Sequence, residues 1–150
     1  MKKLLLALVC LFGVTLTVSA DKDKPISENQ LPAAARQFIK THFKTHFPKN
    51  KIAMAKQETG FFSKEFDVIF TNGDKLEFDG KGNWTQVSCK KTSSVPTAVI
   101  PAKIKSYLKT NYPDVLVRCI EKEGSNIEVK LSNGWEITFN SDYQVVDIDD

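Results

Sequence analysis

The amino-acid sequence predicts an α+β protein of two tandem repeats, each a helix packed on a four-stranded antiparallel meander sheet. Three observations carry this. Short motifs recur in the same order in both halves, apolar residues fall at helical spacing after Pro32 and after Pro101, and short alternating segments follow each helix. Leu31-Pro32-Ala33 returns as Ile100-Pro101-Ala102, the block 38–43 as 107–112, and the block 67–73 as 128–134. Chance matches would not keep their order across half a chain.

In chain order, the first element is an export signal. Lys2 and Lys3 precede an apolar run over residues 4–14, and Val18-Ser19-Ala20 supplies small residues at a cleavage point, which is the layout of a signal peptide over 1–20. The run is short for a bilayer span and a charged segment follows it, so cleavage is expected rather than anchoring. Lipoprotein processing at Cys10 is the alternative, but Leu8-Val9 is a poor lead into it. The expected location is the periplasm or the cell exterior, with no membrane span after cleavage. Residues 21–28 are charged and read as a mobile tail.

The first repeat is placed at 29–90. Ala35, Phe38, Ile39, Phe43 and Phe47 form a helical stripe that Pro32 opens and Pro48 stops. The block Lys40-Thr41-His42-Phe43 is duplicated as Lys44-Thr45-His46-Phe47, so this helix should be about one turn longer than its counterpart. Ile52 and Met54, then Phe66, Val68 and Phe70, then Leu76 and Phe78, then the segment 84–89 read as four strands. A polar linker covers 91–97, and the second repeat 98–150. Its helix carries Ile104, Tyr107, Leu108 and Tyr112. Its strands carry Val117 and Cys119, then Ile127, Val129 and Leu131, then Ile137 and Phe139, then the segment 145–148.

Parity fixes the central turn. A two-residue loop at Asn72-Gly73 would mix the faces of its strands. A three-residue loop over Thr71-Asn72-Gly73 pairs Val68 with Leu76 and Phe66 with Phe78, and in the second copy Val129 with Ile137 and Ile127 with Phe139. Gly73 and Gly134 are then left-handed at a bulge. One apolar face per strand leaves the other face to solvent.

Loss of Lys2 and Lys3 takes Lys+Arg from 21 to 19 against 18 Asp+Glu, a net of +1. Arg36 and Arg118 are the only arginines. Nucleic acid is therefore not an expected partner. His42 and His46 share a helix face, but the zincin pattern needs Glu where Phe43 stands and no third ligand is near in sequence, so no metal is expected. The run Asp79-Gly80-Lys81-Gly82-Asn83 resembles a calcium loop, with Lys81 where an oxygen ligand belongs, and reads as a hairpin turn. No nucleophile motif or phosphate loop is present, so neither an enzyme nor a cofactor is expected. Cys89 and Cys119 remain after processing, either bonded, as an exported protein favours, or as two separate buried thiols.

The inferred turn places Asp67 opposite Glu77 and Glu65 opposite Asp79 on the solvent face, with Trp84, of parity opposite to Val87, at its edge. Phe61 and Phe62 fall in a long loop where the second copy has only Gly124-Ser125. These seven residues are the expected binding surface. The competing reading is a solvated acidic face with loop phenylalanines tucked under their own sheet.

Leu-Pro-Ala at 31–33, the helix end at Phe47-Pro48, the alternating strands and the stretch Asp79–Trp84, together with the return of this plan from Val95, resemble the PepSY-like family of β-lactamase-inhibitor-like secreted proteins. The resemblance spans the mature chain. It implies a tandem helix-plus-sheet fold, export, and a binding or inhibitory role on the open sheet face. It transfers no functional residue, because the family offers no invariant catalytic motif to match. The expected function is an exported, non-enzymatic protein-binding module for an envelope protein, with a ligand or metal carrier on the same face as the alternative.

Overall fold

The computed structural model describes residues 23–150, so the expected signal peptide lies outside the described residues. The elements are β1 (Asp23–Ile26), α1 (Ala33–Ile39), β2 (Ile52–Thr59), β3 (Lys64–Phe70), β4 (Lys75–Asp79), β5 (Trp84–Ser88), α2 (Ala102–Asn111), β6 (Val117–Glu123), β7 (Asn126–Leu131), β8 (Glu136–Phe139) and β9 (Val145–Asp149). The strands form a single antiparallel sheet in sequence order. Among the described residues no helix is long and apolar enough to cross a membrane.

Two expectations change here. The two four-stranded sheets are one sheet, because β5 pairs with β6 through Gln86 with Glu121, Val87 with Ile120 and Ser88 with Cys119. Joining removes two sheet edges that would otherwise expose unpaired backbone groups. The charged segment expected to be a mobile tail instead places Asp23–Ile26 on the outer edge of β2. Pro25 is tolerated there because an edge strand has a side that needs no ladder donor.

One row of paired residues crosses eight strands: Ala55, Val68, Leu76, Val87, Ile120, Val129, Ile137 and Ile148. All but Ile148 belong to one apolar cluster with Ala35, Ile39 and Phe43 of the first helix and Ile104 and Leu108 of the second. Both helices therefore cover the same face. Phe38 meets Phe78 edge-on at 5.7 Å, and Tyr107 meets Phe139 edge-on at 5.5 Å, so each helix docks through an equivalent aromatic pair.

The turn between β3 and β4 has the expected register, Val68 with Leu76 and Phe66 with Phe78, as does that between β7 and β8. The Gly73 amide donates to the Phe70 carbonyl at 2.9 Å and the Phe70 amide to the Asp74 carbonyl at 2.9 Å, with Gly73 at φ 90° and Gly134 at φ 97°. The longer first helix is present as α1 followed by a π-helical turn over Lys40–Lys44. The duplicated block is thus partly absorbed by a wider coil, as insertions into helices often are.

Candidate functional site

The face opposite the helices is open, and the strand pairings specify what stands on it. Its central row runs Lys56, Asp67, Glu77, Gln86, Glu121, Glu128, Thr138 and Asp147 across β2 to β9. A second row runs Asp23, Glu58, Glu65 and Asp79 across β1 to β4. Four of the seven expected binding residues, Glu65, Asp67, Glu77 and Asp79, occupy these rows, and the opposition of Asp67 to Glu77 and of Glu65 to Asp79 is as parity required.

The acidic rows are not uniform. Asp67 is only 6 % exposed and lies between Lys75 at 3.0 Å and Lys56 at 3.5 Å. Lys75 also holds Glu77 at 2.6 Å, while Lys56 binds Glu58 and reaches Asp23 at 3.2 Å. Burial alone would lower the pKa of both ammonium groups; the bonds from the surrounding carboxylates outweigh it and raise both. Asp79 is committed to its own turn. Its carboxylate accepts the Lys81 and Asn83 amides, each at 2.9 Å, and the Asn83 side chain at 3.2 Å. Burial pushes against these bonds, but they hold its pKa below the ordinary value. The calcium-loop likeness therefore resolves as a hairpin turn, and Asn140 repeats it by accepting the Asp142 and Gln144 amides at 3.0 Å.

Over the second half the balance differs. Glu121 and Glu128 face each other across β6 and β7. Burial, then the charges of Glu128 and Glu77, push the Glu121 carboxyl above its usual range, against one hydrogen bond from Gln86 at 3.1 Å. Burial, with the charges of Glu136 and Glu123, likewise raises Glu128 and outweighs Lys130 at 3.5 Å, which also holds Glu136 at 2.7 Å. Sequence reasoning missed this pair. The signal was the polar parity of β6 and β7, legible only once β6 is known to contain a bulge.

Bulges also relocate three expected residues. Pairing jumps from Ile52 to Met54 in β2 and from Val117 to Cys119 in β6. An extra residue flips everything beyond it to the other face. Met54 and Cys119 therefore sit on the open-face side, and Ala55 and Ile120 take the core positions. A third bulge puts Trp84 opposite Phe78 on the helix side, where its ring lies 6.4 Å from Phe38 and Lys122 Nζ sits 3.9 Å from its centroid. Trp84 is no part of the acidic face.

The same shift separates the cysteines. Ser88 pairs with Cys119, so Cys89, the next residue, points to the opposite side and joins the core cluster. Both cysteines are buried, and the expected disulfide does not join them. Burial, then the charge of Asp74, pushes the Cys89 thiol up to about 12, which leaves it unreactive. His42 contacts Phe38 at 4.7 Å, and burial followed by the charge of His46 lowers its pKa. Among the described residues no group of three or more His, Cys, Asp or Glu is placed to hold a metal ion. Phe61 and Phe62 are not tucked under the sheet: they are 92 % and 103 % exposed at the tip between β2 and β3.

The family described as "Putative beta-lactamase-inhibitor-like, PepSY-like" matches residues 17–62 and 64–147. The chain is similar to a crystal structure of a putative periplasmic protein of the DUF2874 family from Bacteroides vulgatus ATCC 8482, with 60% identity, TM-score 0.80, and coverage of 87% of this chain and 99% of that one. It is also similar to a putative calcium-regulated periplasmic protein from Bacteroides thetaiotaomicron, with 51% identity, TM-score 0.78 and coverage of 85% and 97%. A further putative periplasmic protein of unknown function from Bacteroides vulgatus ATCC 8482 shares 35% identity, with TM-score 0.75 and coverage of 85% and 99%. No curated protein matches the chain.

Proposed function

For a chain that belongs to the PepSY-like, β-lactamase-inhibitor-like family, we propose the work of an exported, non-catalytic binding protein that holds a basic protein partner on the uncovered face of its sheet. Periplasmic location agrees with three relatives described as periplasmic. The coincidence of register, turns and bulges between 52–88 and 117–149 supports reading the chain as one duplicated unit.

The observation that carries the binding proposal is the apposition of Glu121 and Glu128, whose carboxyl groups are both raised, beside Glu77 and Gln86 in the central row. Like charges opposite each other on a sheet cost about 0.2–1 kcal/mol. A cationic partner removes that cost and gains a steered association. The test is calorimetric titration with a lysine decapeptide at low and high salt. Binding should weaken with salt and fall at least threefold in the Glu121→Gln/Glu128→Gln variant. Equal affinity in variant and parent would remove the proposal. Inhibition of an enzyme is a narrower form of the same capture.

A second reading is favoured by the relative described as calcium-regulated. On this reading calcium gathers at the same carboxylates as a screening counter-ion, since no group of three or more ligating side chains converges there among the described residues. It requires a rise in melting temperature on adding calcium, reversed by a chelator and absent in the double variant.

A further inference from the structure

The hairpin between β2 and β3 is closed by the Gly60 amide bonding the Ser63 carbonyl at 2.8 Å, which leaves Phe61 and Phe62 at the outermost point of the turn. Their rings lie 6.5 Å apart, both almost wholly in water. Two adjacent phenylalanines this exposed cost solubility, and large aromatics of this kind are the residue type that anchors interfaces. At the base of the tip, on the uncovered face, a cleft of about 190 Å³ is lined by Asp23, Glu58, Thr59, Gly60, Ser63 and Glu65. Drug-sized ligands occupy about 300–1,000 Å³, so the cleft is matched to one side chain rather than to a small-molecule ligand.

The charge of the cleft selects that side chain. Lys56 compensates Asp23 and Glu58, and none of the ion pairs among the described residues includes Glu65, which pairs across the sheet with Glu58 on one side and Asp79 on the other. A hard metal ion needs six to eight converging oxygens, and these carboxylates are not grouped to hold one. An ammonium or guanidinium tolerates spread-out acceptors and also stacks against aromatic faces. An anionic lipid surface is disfavoured, because the carboxylates flanking the tip would face its headgroups.

We propose that the Phe61–Phe62 tip and the acidic cleft at its base dock a segment of another protein in which a lysine or arginine stands next to an apolar residue: the cation enters the cleft beside Glu65 and the apolar neighbour packs on the two rings. This rests on the reading of the uncovered face as a docking surface and places one anchor of the partner at its β1–β3 end. The second hairpin of the same type, between β6 and β7, turns at Gly124-Ser125 and has no aromatic tip, so the site occurs once among the described residues.

The probe is a fluorescent, end-blocked hexapeptide alternating arginine and tryptophan, titrated into the mature protein, with a glutamate–tryptophan peptide as control. The arginine peptide should bind and the control should not. Phe61→Ser/Phe62→Ser should weaken binding about tenfold and Glu65→Gln about threefold, with melting temperatures unchanged. Unchanged affinity in both variants would overturn the proposal. So would a fall in melting temperature in the phenylalanine variant, which would make the rings part of the packing. Phe-dependent binding to phosphatidylglycerol vesicles in preference to the peptide would assign the tip to lipid, and a parental dimer made monomeric by the variant would assign it to a second copy. If Glu121→Gln/Glu128→Gln weakens peptide binding while the tip variants do not, the hairpin proposal fails and the uncovered-face reading stands. The reverse pattern removes the central row and keeps the tip.

Discussion

The two halves of the sheet share a skeleton and differ in what is attached to it. Both have a bulge in their first strand, the same pairing across the second and third, and a three-residue turn in which the fifth residue accepts from the first: Phe70 with Asp74, Leu131 with Trp135. Where the first half carries Asp74, the second carries a half-exposed tryptophan beside Tyr112. Where the first half's helix sits on the turn at Gly82, the second half has an exposed Tyr143 at φ 62°. Asp67 in the first half lies between two lysines, whereas in the second half's central pair Glu128 has Lys130 at 3.5 Å and Glu121 is in no ion pair among the described residues. Apolar parity constrains the shared part, because a slip of one residue would expose a whole strand. Turn contents and open-face charges carry no such constraint, and they are where binding chemistry can differ.

Asp74 offers the largest way to break this comparison. It is fully buried, and its carboxylate accepts Ser93 Oγ at 2.7 and 2.8 Å, the Lys90 amide at 2.8 Å and the Asn72 side chain at 2.9 Å. Ser93 and Lys90 belong to the joint between the halves, and Arg118 of β6 binds the Ser93 carbonyl in turn. Asp74 thus fastens the first half's turn to the connection. Asp74→Ala leaves several buried donors without an acceptor and should cost about 3–4 kcal/mol, read by denaturant unfolding. Because one apolar cluster spans both halves, the parent should melt in a single calorimetric transition. Two resolved transitions in the parent would show that the halves are merely tethered.

The next contrast is between glycines. Gly82 has φ 88°, and a Cβ there would lie 2.8 Å from the Ala35 backbone nitrogen and 2.8 Å from Pro32 Cβ. Gly134 has φ 97° with nothing within 4 Å. Gly134→Ala should cost about 1 kcal/mol, the left-handed penalty alone. Gly82→Ala adds a backbone clash and should cost about 2–3 kcal/mol, with near-equal losses refuting the close helix approach.

Much of this was legible in the sequence for a physical reason. Helix stripes, strand parity and the loop over 71–73 follow from local periodicity, and the Asp67–Glu77 and Glu65–Asp79 oppositions followed from them. What failed was whatever depends on a bulge or on pairing distant in sequence. Ala53, Thr85 and Arg118 carry no mark of the bulges they create, and plain alternation therefore puts Met54, Trp84 and Cys119 on the wrong faces. The cysteine bond fell with them. Pairing of β5 with β6 joins residues more than thirty apart, and with it came the Glu121 environment. The charged segment over Asp23–Ile26 has no apolar alternation, yet its backbone pairs with β2.

The smallest effects should have opposite signs in the two halves. Asp67 is held by Lys56 and Lys75, so Asp67→Asn removes two attractions at a buried position and should lower stability at pH 7 by about 1 kcal/mol. Glu121 is pressed by Glu128 and Glu77 and keeps its bond to Gln86 when neutral, so Glu121→Gln should raise stability by about 0.5 kcal/mol. The pH dependence follows from the direction of the shift. Glu121's carboxyl is raised in the folded protein, so its protonated form is favoured there. Its contribution is fully present below the unfolded carboxylate range and is lost as pH rises through the higher folded value. The gain from Glu121→Gln should therefore be seen at pH 7 and vanish near pH 3, where the parent glutamate is already neutral. Paired thermal melts of the two variants at these pH values decide the matter. If Asp67→Asn and Glu121→Gln shift stability at pH 7 in the same direction, the two halves of the open face are electrostatically alike, and the argument for a basic partner over β6 and β7 loses its footing.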